Sequence, residues 1–156
     1  MKHNNYMSKK VLSTSIASVA GGLFLLLDQF LKVIARNNPY SSSYIIDPWL
    51  GWEYLQNYGI AFGLPVTQFI VVPVSFIIIG GLLIYTIQKH TKTFLFSLGS
   101  SLVIWGALSN IIDRMFFGFT TDYIRIISSV INIADIMIVL GASLLVLSEY
   151  NEKRNA

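Results

Sequence analysis

Residues 66–88, VTQFIVVPVSFIIIGGLLIYTIQ, decide the fold of this chain. They carry no charged side chain and lie within a longer uncharged run, residues 54–88. A helix needs about 20 apolar residues to cross the roughly 30 Å hydrocarbon core of a bilayer, so this stretch predicts a transmembrane helix. On either side of it, three further stretches predict spans, at about residues 11–35, 94–112 and 131–148.

The overall composition agrees with four membrane-spanning helices. Of the 156 residues, 54% are apolar and only 12% are charged, and the mean hydropathy is +0.62. A soluble domain of this size would be more polar. We therefore predict an all-α integral membrane protein with a single membrane-embedded domain over residues 1–156, whose segments 36–65 and 113–130 lie outside the bilayer.

Basic residues indicate the orientation, because Lys and Arg beside a span are retained in the cytoplasm. Both termini are therefore predicted to be cytoplasmic, and the two longer loops face outward. The first span is expected to be an uncleaved anchor, since its apolar stretch is long and three spans follow. The net charge of +3 then reflects topological anchors, and no nucleic-acid partner is expected. Seven of the eleven basic residues fall on one predicted side: Lys2, Lys9, Lys10, Lys89, Lys92, Lys153 and Arg154.

The segment between the first two helices is the place for extended structure. Residues 44–46 and 51–55 are aromatic and β-prone, and a turn signal at Pro39 and residues 41–43 precedes them. We expect a small external β-cradle that rests on the membrane surface. Within the helices, Gly80, Gly81 and residues 99–101 are small enough to permit close helix packing.

The chain offers little for metal or thiol chemistry. It has no cysteine, which excludes disulfides and thiolate sites. His3 and His90 have no partner at metal-ligand spacing, so zinc hydrolysis is not expected. No metal and no cofactor are predicted.

Ionisable groups at membrane depth each need a reason, since inserting one costs about 2.5 to 3.5 kcal/mol. Asp28 and Lys32 are four apart on the first helix and can pair; a neutralised pair is the preferred interpretation and substrate contact the second. At the end of the third helix, a cap with a salt bridge accounts for Asn110, Asp113 and Arg114 as well as a binding site does.

Two acids in the second external region could act together. Asn132 and Asp135 stand at the start of the fourth helix, where a cap explains Asn132 but explains Asp135 less well. Asp122 lies in the loop that leads back to this helix. Two carboxyls brought together there would share a proton, as in aspartic proteases, where one activates water and the other protonates the leaving amine. Spacing alone leaves this pair as one alternative.

Five short segments resemble the motif blocks of the bacterial lipoprotein signal peptidase (signal peptidase II) family. The resemblance implies four helices with an external cradle, and cleavage of prolipoproteins before a diacylglyceryl-modified cysteine in the bacterial cytoplasmic membrane. The family usually has Gly at Ser109, Phe at Tyr123, and a pair of valines at Thr120 and Thr121. In family order, the segments are residues 28–32 (DQFLK), 57–63 (NYGIAFG), 106–114 (GALSNIIDR), 118–123 (GFTTDY) and 132–135 (NIAD).

The resemblance also implies roles for particular side chains. Asp122 and Asp135 are the expected catalytic pair, with Asp113 holding Arg114. Lipid-modified prolipoproteins and membrane lipids are the expected partners of a monomer. The alternative is a non-catalytic membrane protein, either a binder of lipoproteins or a small transport subunit. The residues expected to line or support the substrate site are Asn57, Gly59, Asn110, Asp113, Arg114, Asn132, Asp28 and Lys32.

Overall fold

The computed structural model describes residues 2–59, 66–89 and 93–155, with side chains from residue 12 onward. Several sequence features therefore lie outside the described residues: positions 60–63 of the second motif block, His90, Lys92 and the side chain of His3. Four helices carry most of the chain. They are α1 (Lys2–Asn37), α2 (Gln68–Gln88), α3 (Phe94–Phe117) and α4 (Ile133–Arg154).

All four helices are long and apolar enough to cross a membrane, which confirms the predicted fold class. Three of them extend past the predicted spans. Helix α1 begins at Lys2 and ends at Asn37, beyond both limits of the predicted 11–35. Helix α3 continues beyond residue 112 to Phe117, and α4 beyond residue 148 to Arg154. Hydropathy detects the apolar part of a helix. A helix continues past that part wherever its backbone hydrogen bonds can continue, so the extra turns carry polar and charged residues.

Helix α3 is the centre of the bundle and packs against α1, α2 and α4. It approaches α4 closely at glycines: a Cβ added at Gly141 would lie 2.7 Å from the Gly99 carbonyl oxygen. The packing role predicted for residues 99–101 is thus confirmed at Gly99. For Gly80 and Gly81 it is wrong, because a Cβ at either position would meet nothing within 4 Å in the described part of the chain.

A four-stranded antiparallel sheet lies at one end of the bundle, in the order β1-β2-β3-β4. The predicted cradle between α1 and α2 is confirmed as β1 (Ser42–Ile46) and β2 (Leu50–Asn57). The sheet is larger than expected, because β3 (Thr120–Ile126) and β4 (Ser129–Ile131), between α3 and α4, complete it. Strand β3 pairs with β2, so the two loops form one structure.

Two local signals place β3 and α4 at this end of the bundle. Helix α3 ends at Gly118, whose φ of 81° is a left-handed conformation that glycine adopts without strain. Helix α4 begins after Asn132, whose side-chain oxygen accepts a hydrogen bond from the Asp135 amide at 2.9 Å. The short segment between Gly118 and Asn132 forms the β3–β4 hairpin, which carries Asp122.

Candidate active site

Asp122 is a fully buried carboxyl on β3, opposite Leu55 of β2. Both of its oxygens accept hydrogen bonds from amide groups: Asn57 Nδ2 donates to Oδ2 at 2.9 Å, and Asn132 Nδ2 donates to Oδ1 at 2.6 Å. The three residues come from β2, β3 and the start of α4. The carboxyl is therefore fixed by two independent parts of the chain.

Asp135 lies in the first turn of α4 and is half-buried. Its Oδ1 accepts a hydrogen bond from Asn110 Nδ2 of α3 at 2.8 Å. Asn132 connects the two acids, because its amide nitrogen donates to Asp122 while its oxygen accepts from the Asp135 backbone. The structure thus brings together the two carboxyls that the sequence singled out.

The asparagine that joins β2 to Asp122 is oriented by its own surroundings. An amide has a donor end and an acceptor end, so a donor fixed at the oxygen turns the NH₂ group away. The Gly59 backbone donates to Asn57 Oδ1 at 3.0 Å, and this leaves the amide nitrogen to face Asp122. Arg114 Nη2 in turn donates to the Gly59 carbonyl at 2.9 Å. Gly59 and Arg114 therefore support the site through Asn57.

The surroundings of Asp122 change its acidity. Burial, followed by the negative charge of Asp135, raises the pKa of the Asp122 carboxyl to about 7, although the amide donors of Asn57 and Asn132 act in the opposite direction. Near neutral pH, Asp122 can therefore hold a proton beside a second carboxyl. General acid–base catalysis needs one group that donates a proton and another that accepts one, and these two carboxyls can take those roles.

The predicted pair of Asp28 and Lys32 is present, with Lys32 Nζ at 2.9 Å from Asp28 Oδ2. Both side chains have no exposed surface and lie within ion-pair distance of each other, as the preferred interpretation of a neutralised pair predicts. Asp28 also accepts hydrogen bonds from Ser109 Oγ at 2.6 Å and from Tyr123 Oη at 2.8 Å. These donors tie α1 to α3 and to β3.

The first backbone amides of α4 all have hydrogen-bond acceptors. The first backbone amides of a helix have no partner within the helix, and buried ones need acceptors. Ile133 N donates to Tyr123 Oη at 3.2 Å, Ala134 N to Asp28 Oδ1 at 3.2 Å, and Asp135 N to Asn132 Oδ1 at 2.9 Å. The turn that carries Asp135 is therefore held by α1, β3 and its own cap.

The ion pair expected between Asp113 and Arg114 is not among the ion pairs of the described residues. Asp113 is fully buried and instead pairs with α1, at 3.2 Å from Arg36 Nη1 and 3.7 Å from Lys32 Nζ. Successive helical side chains point about 100° apart, so neighbours on one helix seldom face the same partner. Asp113 Oδ2, the oxygen that faces Lys32, also accepts a hydrogen bond from the Thr121 amide at 2.8 Å, next to Asp122.

Two cavities meet at the β3–β4 hairpin, and Ser128 and Ser129 line both. One, of about 520 Å³, has polar residues in its wall, among them Glu53, Asn57 and Arg125. The other, of about 500 Å³, lies against α4 and is mostly apolar, with Asp135 among its lining residues. The apolar side chains that line this cavity are Ile126, Ile127, Ile131, Ile136, Val139 and Leu140.

Comparison with known proteins agrees with this geometry. The family model described as signal peptidase (SPase) II matches residues 19–151. The chain belongs to the signal peptidase II family. It is similar to the lipoprotein signal peptidase of Halothermothrix orenii, at 36% identity over 85% of this chain and 93% of that protein. It is also similar to the lipoprotein signal peptidase of Syntrophomonas wolfei, at 37% identity over 86% of this chain and 95% of that protein.

The fold also matches a solved structure described as a bacterial membrane enzyme. The TM-score is 0.80 at 23% identity, and the match covers 91% of this chain and 90% of that one. Membership of the signal peptidase II family makes this chain a membrane protease, in preference to a non-catalytic binder or a transport subunit.

In this signal peptidase II chain, the sequence interpretation missed two supporting residues on α1. Arg36 Nη1 donates to Thr121 Oγ1 at 2.9 Å as well as pairing with Asp113, and Gln29 Nε2 donates to Ser109 Oγ at 2.8 Å. A signal was present. Residues 28, 29, 32 and 36 are polar and recur at helical spacing, which indicates one polar face on an otherwise apolar helix.

Two of the departures from the usual family motifs lie at one place. The Ser109 and Tyr123 hydroxyls both donate hydrogen bonds to Asp28, at positions where the resemblance leads one to expect Gly and Phe. In this signal peptidase II chain, these two hydroxyls tie α3 and β3 to α1.

Proposed function

We propose that this chain is an aspartyl endopeptidase that removes signal peptides from diacylglyceryl-modified prolipoproteins at the outer face of the bacterial cytoplasmic membrane. The substrate follows from relatives that are lipoprotein signal peptidases. The observation that carries the mechanism is the junction at Asn132, which holds Asp122 by its amide nitrogen and the Asp135 backbone by its amide oxygen.

The two acids take different roles in the proposed reaction. Asp122, with a pKa near neutrality, carries the shared proton and donates a hydrogen bond to the scissile carbonyl. Asp135 is the carboxylate that accepts a proton from water as the water oxygen bonds to the carbonyl carbon. Asp122 then gives its proton to the amide nitrogen and the C–N bond breaks. The products are a carboxylic acid and a free amine, and Asp135 keeps the proton taken from water.

The two cavities suit an amphipathic substrate. The apolar cavity beside Asp135 would hold the part of the precursor that stays in the bilayer. The cavity beside Asn57, whose wall includes Glu53 and Arg125, would hold the part that emerges from it. Because one chain supplies both acids, the proposal requires only a monomer. Most basic residues lie at the helix ends that are far from Asp122 and Asp135. This excess supports a cytoplasmic location for both termini.

The test is cleavage of a purified lipidated precursor by purified enzyme in lipid vesicles, with unlipidated precursor as a second substrate. Asn is nearly isosteric with Asp but cannot take a proton from water or give one to the leaving amine. Asp122→Asn and Asp135→Asn should each lower turnover by roughly 100- to 10,000-fold while precursor binding largely remains. The double variant should be scarcely worse than either single one, because the pair acts as a unit.

Asp47→Asn is the matched control, since Asp47 is an exposed acid in the turn between β1 and β2. It should cleave at the wild-type rate. A dyad variant that kept more than about a tenth of the normal rate would end the assignment of that residue as general acid or base. Equal cleavage of lipidated and unlipidated precursor would show that the proposed substrate class is wrong.

A further inference from the structure

Lys32 donates a hydrogen bond to Asn110 in addition to its ion pair with Asp28. The ammonium has no exposed surface, and Asp28 Oδ2 at 2.9 Å supplies the opposite charge that a buried cation needs. Lys32 Nζ nevertheless also donates to Asn110 Oδ1 at 2.8 Å, on α3. This bond connects α1 to the residue that holds Asp135.

The bond settles which way the Asn110 amide faces. An ammonium group has donors and no acceptor, so only the oxygen end of the amide can turn towards Lys32. The NH₂ end is then directed at Asp135, where Asn110 Nδ2 donates to Oδ1 at 2.8 Å. A reversed amide would set its oxygen against the Asp135 carboxyl and its NH₂ group against the ammonium, two unfavourable contacts at once.

The other two asparagines of the site are oriented by backbone amides. Gly59 N fixes Asn57, and Asp135 N fixes Asn132. Asn110 lies within α3, between Phe94 and Phe117, where backbone amides are used by the helix itself. Among the hydrogen bonds of the described residues, the donor that fixes its oxygen is the Lys32 side chain.

We propose that Lys32 is a positioning residue for the dyad, acting through Asn110 to hold the Asp135 carboxyl in its working orientation. The inference rests on the proposed function of Asp135. Loss of Lys32 frees the Asn110 amide to turn over. The charge-assisted bond to Asp135 is then lost, which should lower kcat by roughly 10- to 100-fold with little change in KM.

The test must separate positioning from stability. Lys32→Met alone leaves Asp28 as a buried charge without its nearest cation, and such a protein could fail to fold. Lys32→Met is therefore compared within an Asp28→Asn background, where the variant carries neither charge and the parent keeps Asp113, at 3.7 Å, as the acid beside Lys32. Within the Asp28→Asn background, four proteins are compared: the parent, Lys32→Met, Asn110→Ala, and both. Rates are measured per folded protein on lipidated precursor.

If Lys32 acts through Asn110, both substitutions together should lower kcat no more than Asn110→Ala does alone. A purely structural Lys32 would give losses that multiply. Multiplying losses, or a Lys32→Met protein within about two-fold of its parent in kcat, would overturn the inference. Lys89→Met is the control for loss of an ion-paired lysine, since Lys89 pairs with Glu149 and Glu152 at the other end of the bundle. Its kcat per folded protein should be unchanged.

A second measurement does not depend on substrate. The side-chain NH₂ signals of ¹⁵N-labelled asparagine report on amide surroundings, and Asn110→Ala assigns the Asn110 pair by its disappearance. Lys32→Met should shift this pair in the Asp28→Asn background, whereas Lys89→Met should not. Unshifted Asn110 signals would overturn the positioning role. A wild-type protein that cleaved no lipidated precursor, with the expected shift present, would instead overturn the proposed function.

Discussion

Removal of the Asn57 amide should move the alkaline limit of activity to higher pH. In the proposed mechanism Asp122 must keep its proton, and its pKa is about 7. The wild-type kcat/KM should therefore fall about tenfold per pH unit above neutrality. Asn57 Nδ2 donates to Asp122 Oδ2 at 2.9 Å, and such a donor favours the ionised form. Asn57→Ala removes it, so the Asp122 pKa should rise and the proton should be kept to higher pH.

The size of the shift follows from the strength of the bond. A hydrogen bond to a charged group contributes about 1.5 to 3 kcal/mol, and one pKa unit corresponds to about 1.4 kcal/mol. Water that enters the space left by the amide offsets part of this, so we expect a shift of about one unit, to a pKa of about 8. The absolute activity of Asn57→Ala should fall, because the amide also positions the carboxyl.

The assay is kcat/KM on lipidated precursor from about pH 5 to about pH 9. Between about pH 6 and about pH 9, the ratio of mutant to wild-type activity should rise by about tenfold. Gln56→Ala is the matched control: Gln56 is the neighbouring amide on β2, but it donates to the Tyr54 hydroxyl and not to Asp122. A ratio for Asn57→Ala that stayed constant or fell with pH would refute the protonated role of Asp122.

Two further predictions concern topology and packing. Reporters fused after Ala156 should register as cytoplasmic, and one inserted near Ser42 as external; a cytoplasmic signal at Ser42 would overturn the proposed orientation. Gly141→Ala should destabilise the protein by about 1 to 3 kcal/mol in thermal unfolding, because the added Cβ meets the Gly99 carbonyl oxygen at 2.7 Å. Gly80→Ala should leave the stability unchanged, because the added Cβ meets open space. Equal loss of stability in the two variants would refute the close contact between α3 and α4.

The membrane-spanning helices could be predicted from the sequence because lipid imposes a simple requirement of length and apolarity. The sheet could be predicted only in part. Residues 120–126, TTDYIRI, form a strand because they pair with β2, which lies far earlier in the chain. A local signal was present, because five of these seven residues are β-branched or aromatic. The sequence does not show the pairing partner, and the segment was interpreted as a loop with one acid in it.

The candidate site shows the same limit. Asp122 and Asp135 could be singled out because acids near a membrane need a reason, and the structure brings them together. The partner of Asp113 could not be found by local reasoning, since Lys32 and Arg36 belong to another helix. Helical spacing identifies which residues share a face, but it does not identify what that face meets.

The pairing of Asp28 with Lys32 has a consequence for biosynthesis. Asn110 follows Lys32 by 78 positions and Ala134 follows Asp28 by 106, so when the first helix leaves the ribosome none of its later partners has been made. During that interval the helix carries an acid and a base four residues apart, close enough to neutralise each other. The pair therefore lets the first helix enter the lipid as a nearly neutral segment. Lys32 and Asp28 form their hydrogen bonds with α3 and α4 only after those helices have been synthesised.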